Sequence, residues 1–419
     1  MTTRALLILA SLNLLDYLDR YLIASLGSLV KAEMGLSDRA FGFLGTAFFL
    51  VYFLSSPIFG YLGDRFGRIR LMAGGAVLWS LATSLTFWVT SYPTLVLARG
   101  LVGVGEASFG TLAPAYLADI LPLSRRSRAL GFFYLALPVG SALAYLVGGL
   151  VGSKWGWRPA FLLAGIPGML LAALVLRLPG VVVDGLPGGA GEPRTQNSPS
   201  LPRHHLTSLW AGARELWRLP TLRRVTLGYG MITFTLGGLA FWMPRYLEAA
   251  KGLEMAQANY LLFGSVTVAG GLGILTGGYL GDRLLTYTLK APLLVSGLGV
   301  ALAIPLAGLA IFATAPSLYI PGLVGAIFLL FLNPGVLTAV VVSVAGPLRR
   351  AQAVALNIVV IHLVGDVPSP FLIGWLADLW DLKWGVSLTL LALLVGAVLI
   401  LRAMPYLSRD LAAAGELKD

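Results

Sequence analysis

The sequence has no cysteine, three histidines, and only 12% charged residues among 419. Without cysteine there is no disulfide, no thiolate metal site and no cysteine nucleophile, and three histidines leave almost nothing for a zinc cluster. No metal and no cofactor is therefore expected. An ordinary soluble domain carries about 25% charged residues, so this chain has too little ionic surface to coat a water-soluble globule, and a soluble enzyme is excluded. Acids are scarcer than bases, 19 Asp and Glu against 30 Lys and Arg, for a formal charge of +11. The basic residues lie at the ends of apolar stretches, so the excess does not call for nucleic acid.

What the chain has in abundance is apolar sequence, 57% of its residues. Runs of about 20 apolar residues recur, each able to cross roughly 30 Å of hydrocarbon as a helix. Twelve are placed, at 5–30, 41–62, 71–90, 93–117, 129–151, 160–178, 224–249, 259–280, 292–313, 317–344, 353–376 and 386–406. Between the sixth and seventh lies 179–223, rich in Gly, Pro, Ser and Arg in its first part, which reads as a polar linker. The organisation is thus a six-helix bundle over 1–178, the linker, a second bundle over 224–406 and a tail over 407–419. The first run holds Asp16, Asp19 and Arg20 and has no small-residue cleavage site, so it reads as a retained span and not a signal peptide.

Orientation follows from Lys and Arg alone. The side that takes both termini, the linker and the 2–3, 4–5, 8–9 and 10–11 loops carries 21 of them, the opposite side 7, with Arg20 and Arg99 inside spans. Both termini and the linker are accordingly assigned to the cytoplasm, and the charge reports topology. A repeat reinforces the division into halves: YLGDR follows the second span and again the eighth, placing Asp64 and Asp282 218 residues apart, close to half the chain. Two such parallel repeats are what a rocking transporter needs, facing each other across a cavity open to alternate sides.

GYLGDRFGRIR at 60–70 resembles the signature loop between helices two and three of the major facilitator superfamily, and the twelve-span layout matches that superfamily throughout. The resemblance implies an all-α membrane protein of twelve transmembrane helices in two pseudo-symmetric bundles. In it Asp64 matches the loop carboxylate, Arg68 its basic partner, and Asp119, at the end of span four, the acid that pairs with the loop. With Arg65 and the repeat's Asp282 and Arg283, these are the candidate gating residues, a breakable latch of carboxylates and arginines at helix ends.

Four longer blocks resemble the Spinster family of lipid transporters: NLLDYLDRYLIA at 13–24, RGLVGVGEASFGTLAPAYLAD at 99–119, RRSRALGFFYLALPVGSALAY at 125–145 and RRAQAVALNIVVIHLVGDVPSPFLIGWLAD at 349–378. They cover both halves. The family's span-one acid would match Asp19, and its span-four Arg and Glu would match Arg99 and Glu106. In span five the spacing of Gly131, Gly140, Gly148 and Gly149 is similar to the facilitator antiporter pattern, but Ala144 and Tyr145 stand where that pattern has Gly-Pro, which weighs against drug/proton antiport.

The residues themselves point the same way. An ionisable side chain at membrane depth costs about 2.5–3.5 kcal/mol on insertion scales, so Asp19, Arg20, Arg99, Glu106, His362 and Asp366 are expected to face an aqueous cavity or one another. Arg99 and Glu106, seven apart, share a helix face about 10 Å apart along the axis and can flank a third group, for which Asp19 is the candidate. Asp16 is expected to pair locally. Asp19, Glu106 and Arg99 are the candidate proton-coupling residues, whether as a switch that changes its arginine contacts or as a static ion cluster that fixes helix register.

Arg20 and Arg99 offer charge-assisted contacts to a phosphate, and aromatics such as Phe48, Tyr52 and Tyr134 offer apolar surface. Arg20, Arg99, Glu106, Tyr52, Tyr134, His362 and Asp366 are the candidate cargo contacts. The expectation is a monomeric, proton-coupled transporter of an amphiphilic lipid, of lysophospholipid or sphingoid type, in a bacterial inner membrane. An exporter of drugs or small organic ions is the alternative.

Overall fold

The computed structural model describes residues 2–121, 132–179, 205–346 and 349–415. Among these the chain is helical throughout, with no strand. Eleven helices are long and apolar enough to cross a membrane: Asp38–Gly63, Arg68–Trp88, Tyr92–Leu117, Phe132–Trp155, Trp157–Val175, Pro220–Lys251, Met255–Leu285, Ala291–Phe312, Pro316–Ala345, Gln352–Leu379 and Leu382–Leu401. The helix Thr2–Ser25, which carries Arg4, Asp16, Asp19 and Arg20, supplies the twelfth. We number them as spans one to twelve in chain order. The side at which span one begins is called the near face and the side at which it ends the far face, the two alternating from span to span along the chain.

Local chemistry sets the ends. Ser37 accepts a hydrogen bond from the Ala40 N–H at the start of span two (3.2 Å), satisfying one of the four donors a helix start leaves open. Gly67, at φ 90°, turns the chain between spans two and three, a backbone that side-chain-bearing residues rarely adopt. Span one gives way after Ser25 to a further helix, Gly27–Met34, which Gly35 closes at φ 63°. Span twelve ends at Leu401, five residues earlier than its apolar pattern suggests. Arg402 and Ala403 turn there, and the helix Met404–Ala413 follows with Leu407 and Leu411 buried. Spans five, eight and eleven each contain one π turn, at Gly148–Gly152, Val266–Gly270 and His362–Asp366. Such turns free a backbone carbonyl and often mark functional positions.

The helices form two compact units, and these cut across the linear halves. One comprises Met1–Glu192, Ala240–Thr267 and Pro370–Leu382, and the other Pro193–Leu239, Val268–Ser369 and Lys383–Asp419. In the first, spans three and four meet backbone to backbone: a Cβ at Gly105 would lie 2.5 Å from the Gly75 carbonyl oxygen. Small residues at such crossings replace the hydrophobic drive that lipid removes. Beside this crossing Trp79 meets Phe109 edge-on and Phe109 meets Phe133 at a tilt, with ring centroids 5.5 and 6.1 Å apart. In the second unit, Ile232, Val300, Leu330, Leu337 and Leu393 are fully buried or nearly so. Asp410 of the last helix accepts from the Thr221 backbone N–H at 2.9 Å, fastening that helix to the start of span seven.

On the far face, Glu33 accepts from Trp157 Nε1 at 2.7 Å and pairs with Arg158. The Arg158 hydrogen bond holds the Glu33 carboxyl below its usual range. The tie is therefore complete at neutral pH and is lost as pH falls through that lowered range.

Candidate functional site

Spans one and four bring together the ionisable residues of the first unit. Asp16, Asp19, Arg99 and Glu106 are buried, at 2%, 2%, 3% and 0% exposure. Arg20 keeps 10% of its side chain exposed. Its Nη2 donates to Asp16 Oδ2 and to Glu106 Oε2, both at 3.0 Å, and its Nε donates to the same Glu106 oxygen at 3.1 Å. The Asp16 bond follows from helix spacing, since residues four apart lie on one face. The Glu106 bond comes from span four and ties the two helices.

The expected trio of Arg99, Asp19 and Glu106 forms differently. Arg20, and not Asp19, is the partner of Glu106. Asp19 accepts from the Thr83 hydroxyl of span three at 3.2 Å. Arg99 donates to the Arg20 backbone carbonyl at 3.3 Å and lies over the Phe48 ring, 4.8 Å from its centroid. Adjacent helical residues point about 100° apart, so Asp19 and Arg20 reach different neighbours.

Aromatic rings surround the Arg20 guanidinium, with centroids of Tyr17, Phe48 and Tyr52 at 4.7, 5.3 and 5.1 Å. Their negative ring faces hold a cation without neutralising it. Tyr52 fits because position 110 is glycine: a Cβ there would sit 2.4 Å from the Tyr52 hydroxyl. Tyr134, the other tyrosine expected at the site, is 49% exposed and packs edge-on against Phe133. Tyr17 and Thr83 were not expected. The spacing of Tyr17 three residues before Arg20 is the signal that marks the first; nothing in the sequence marks the second.

Charge does not balance in this cluster. Three carboxylic acids, Asp16, Asp19 and Glu106, face two guanidinium groups, Arg20 and Arg99, and each acid keeps one buried oxygen without a hydrogen-bond partner among the described residues. An uncompensated charge in a low-dielectric interior costs several kcal/mol, of the order of 3–5 when a pair is broken. One bound proton removes the imbalance, and Asp19 is the acid that no arginine bonds.

In the second unit, His362 Nδ1 and Asp366 Oδ2 are 2.6 Å apart within the π turn of span eleven. Gly237 of span seven makes room for this acid, since a Cβ there would lie 2.3 Å from Asp366 Oδ1. On the near face Arg68 pairs with Asp119. Arg283 donates to the Tyr279 hydroxyl at 3.0 Å. The side chains of Asp64, Arg65 and Asp282 lie outside the described residues. No group of three or more His, Asp or Glu suited to a metal occurs among the described residues.

Comparison with known proteins places the chain. The family model of the Major Facilitator Superfamily matches residues 9–365. Protein spinster homolog 1 of Mus musculus is 35% identical over 407 residues, covering 92% of this chain and 75% of that protein. The sphingosine-1-phosphate transporter SPNS2 of Mus musculus is 33% identical, over 88% of this chain and 68% of that one. Among solved structures, a bacterial homologue of the human lysosomal transporter Spinster, inward-facing and occupied, superposes with a TM-score of 0.80 at 19% identity, covering 97% of each chain. The D-xylose-proton symporter superposes at 0.72 and 19% identity, covering 96% of this chain and 97% of its own. The chain is a multi-pass membrane transporter, not an enzyme, with the major facilitator fold, and belongs to the Spinster family of that superfamily.

Proposed function

We propose that the protein moves an amphiphilic lipid with an anionic head, of lysophospholipid or sphingoid-phosphate type, across a bacterial inner membrane by alternating access coupled to protons. The observation that carries this is the unbalanced cluster around Arg20. Its guanidinium is partly exposed, is edged by three aromatic rings and is held by two carboxylates, while a third acid, Asp19, has no arginine bond. A head-group phosphate arriving at Arg20 adds negative charge to a site that already has one acid in excess. Cargo binding and proton binding then reinforce each other, which is the thermodynamic content of coupling. That a relative at 33% identity is named a sphingosine-1-phosphate transporter supports the lipid class.

In this reading Asp19 carries the proton, Glu106 and Arg99 set the charge around it, and Arg20, Tyr52, Tyr134 and the His362–Asp366 pair contact cargo. Arg68 and Asp119, with Asp64, Arg65, Asp282 and Arg283, act as the near-face gate, the near face is cytoplasmic, and the protein works as a monomer. Proteoliposomes offered lysophospholipids, sphingoid phosphates and organic cations test it. The expected result is uptake of an anionic single-chain lipid that accelerates with an imposed pH gradient. Uptake of organic cations alone, or lipid uptake indifferent to pH, would overturn it.

A further inference from the structure

The pattern small–aromatic–Leu–small–Asp occurs four times: Gly60–Asp64, Ala115–Asp119, Gly278–Asp282 and Gly374–Asp378. The first three end spans two, four and eight on the near face. The fourth ends span eleven on the far face. Each six-span half of this fold is built from two three-helix repeats of inverted topology. Spans eight and eleven are the middle helices of the two repeats in the second half, so the same motif at the same helix end emerges on opposite membrane faces. Span five, the corresponding helix of the first half, ends Gly149–Leu150–Val151–Gly152–Ser153 without an acid.

The contacts of the fourth copy are specific. Asp378 Oδ1 accepts from the Asp38 backbone N–H at 2.7 Å and Oδ2 from that of Arg39 at 2.9 Å, so a carboxylate from span eleven caps the first two residues of span two. These are open donors at the positive end of that helix, where an anion binds well. Glycines bring the two helices close: a Cβ at Gly374 would lie 2.4 Å from the Asp38 carbonyl oxygen, and one at Gly42 2.2 Å from that of Pro370. Asp38 in turn pairs with Lys31 and with Arg245 Nε, the latter at 3.1 Å. Trp242 Nε1 donates to the Pro370 carbonyl at 2.9 Å, fixing the start of the span-eleven segment that carries the motif.

We propose that Gly374–Asp378 is a far-face latch, the inverted-repeat counterpart of the near-face signature loop, and that Asp378 holds the far face shut by capping span two. Span two belongs to the first sequence half and span eleven to the second, so the cap exists only while their far-face ends are together. The latch requires alternating access but neither a lipid cargo nor proton coupling.

The chain has no cysteine, so two introduced cysteines are the only labelling sites. Spin labels at the exposed Thr90 and Thr314 report the far face, and at the exposed Arg70 and Leu289 the near face. In the full-length protein in nanodiscs, Asp378→Ala is expected to raise the ratio of far-face-open to far-face-closed populations roughly fivefold, the effect of losing a typical helix cap, and Asp378→Asn by less, since the amide keeps one acceptor. Far-face distances unchanged in both variants would overturn the latch, and if the alanine variant does not fold the asparagine variant decides. Far-face opening with near-face closing supports both latch and rocking. Far-face opening with an unmoved near face supports the latch and contradicts rocking.

Discussion

Arg20→Ala is expected to lower stability by about 3–5 kcal/mol and to abolish lipid uptake, because it leaves Asp16 and Glu106 buried without the guanidinium that bonds them both. Thermal unfolding in detergent checks the first effect and proteoliposome flux the second. The penalty belongs to the orphaned carboxylates and not to the arginine as such. Adding Asp16→Asn and Glu106→Gln to the same chain removes those charges, and most of the lost stability should return, while uptake stays absent for want of the guanidinium. Wild-type unfolding of the single variant would show that the pairs contribute nothing. Uptake in the triple variant would show that Arg20 does not receive cargo.

Asp19→Asn is expected to behave in the opposite way. The Asp19 side chain accepts a hydrogen bond from the Thr83 hydroxyl, which an asparagine carbonyl also accepts, so stability should change by less than about 1 kcal/mol. What disappears is the titratable group. The ratio of lipid uptake with a pH gradient to uptake without one should fall to about 1, since a proton with no differential affinity for the two states cannot shift their balance. Uptake down a lipid gradient should persist. A variant still accelerated by the gradient would move the proton site elsewhere, Glu106 being the next acid in the cluster.

Much of the fold was legible because bilayer thickness dictates span length, and eleven of the apolar runs overlap spanning helices with ends that agree to within five residues. The end of span twelve was not. Leu401–Arg402–Ala403–Met404 is apolar enough to continue a helix by pattern, and only the turn at Arg402 shows that the chain breaks there. The break after Ser25 was equally invisible, since Leu26 and Gly27 do not forbid a helix. At the site, ionisable residues inside apolar runs identified Asp19, Arg20, Arg99 and Glu106, because the cost of burying charge makes such residues rare.

Pairing was harder to read. Asp16–Arg20 follows from spacing within one helix. Arg20–Glu106 depends on how spans one and four face each other, which no spacing within either helix encodes. The aromatic neighbours divide in the same way: Tyr17 is signalled by its position beside Arg20, and Phe48 and Tyr52 by their four-residue separation on span two, yet their convergence on one guanidinium is a property of the packing. Asp378 carried a visible motif, but its partners are backbone N–H groups, which every helix start possesses and no sequence distinguishes.

Proton coupling requires that the cluster of three acids and two arginines exchange a proton as cargo crosses. Luminal pH in proteoliposomes with an entrapped indicator, followed after a lipid gradient is applied with no pH gradient imposed, measures this directly. A luminal pH change that accompanies lipid movement in the wild type and vanishes in Asp19→Asn is the predicted result. Lipid movement by the wild-type protein at constant luminal pH would contradict it.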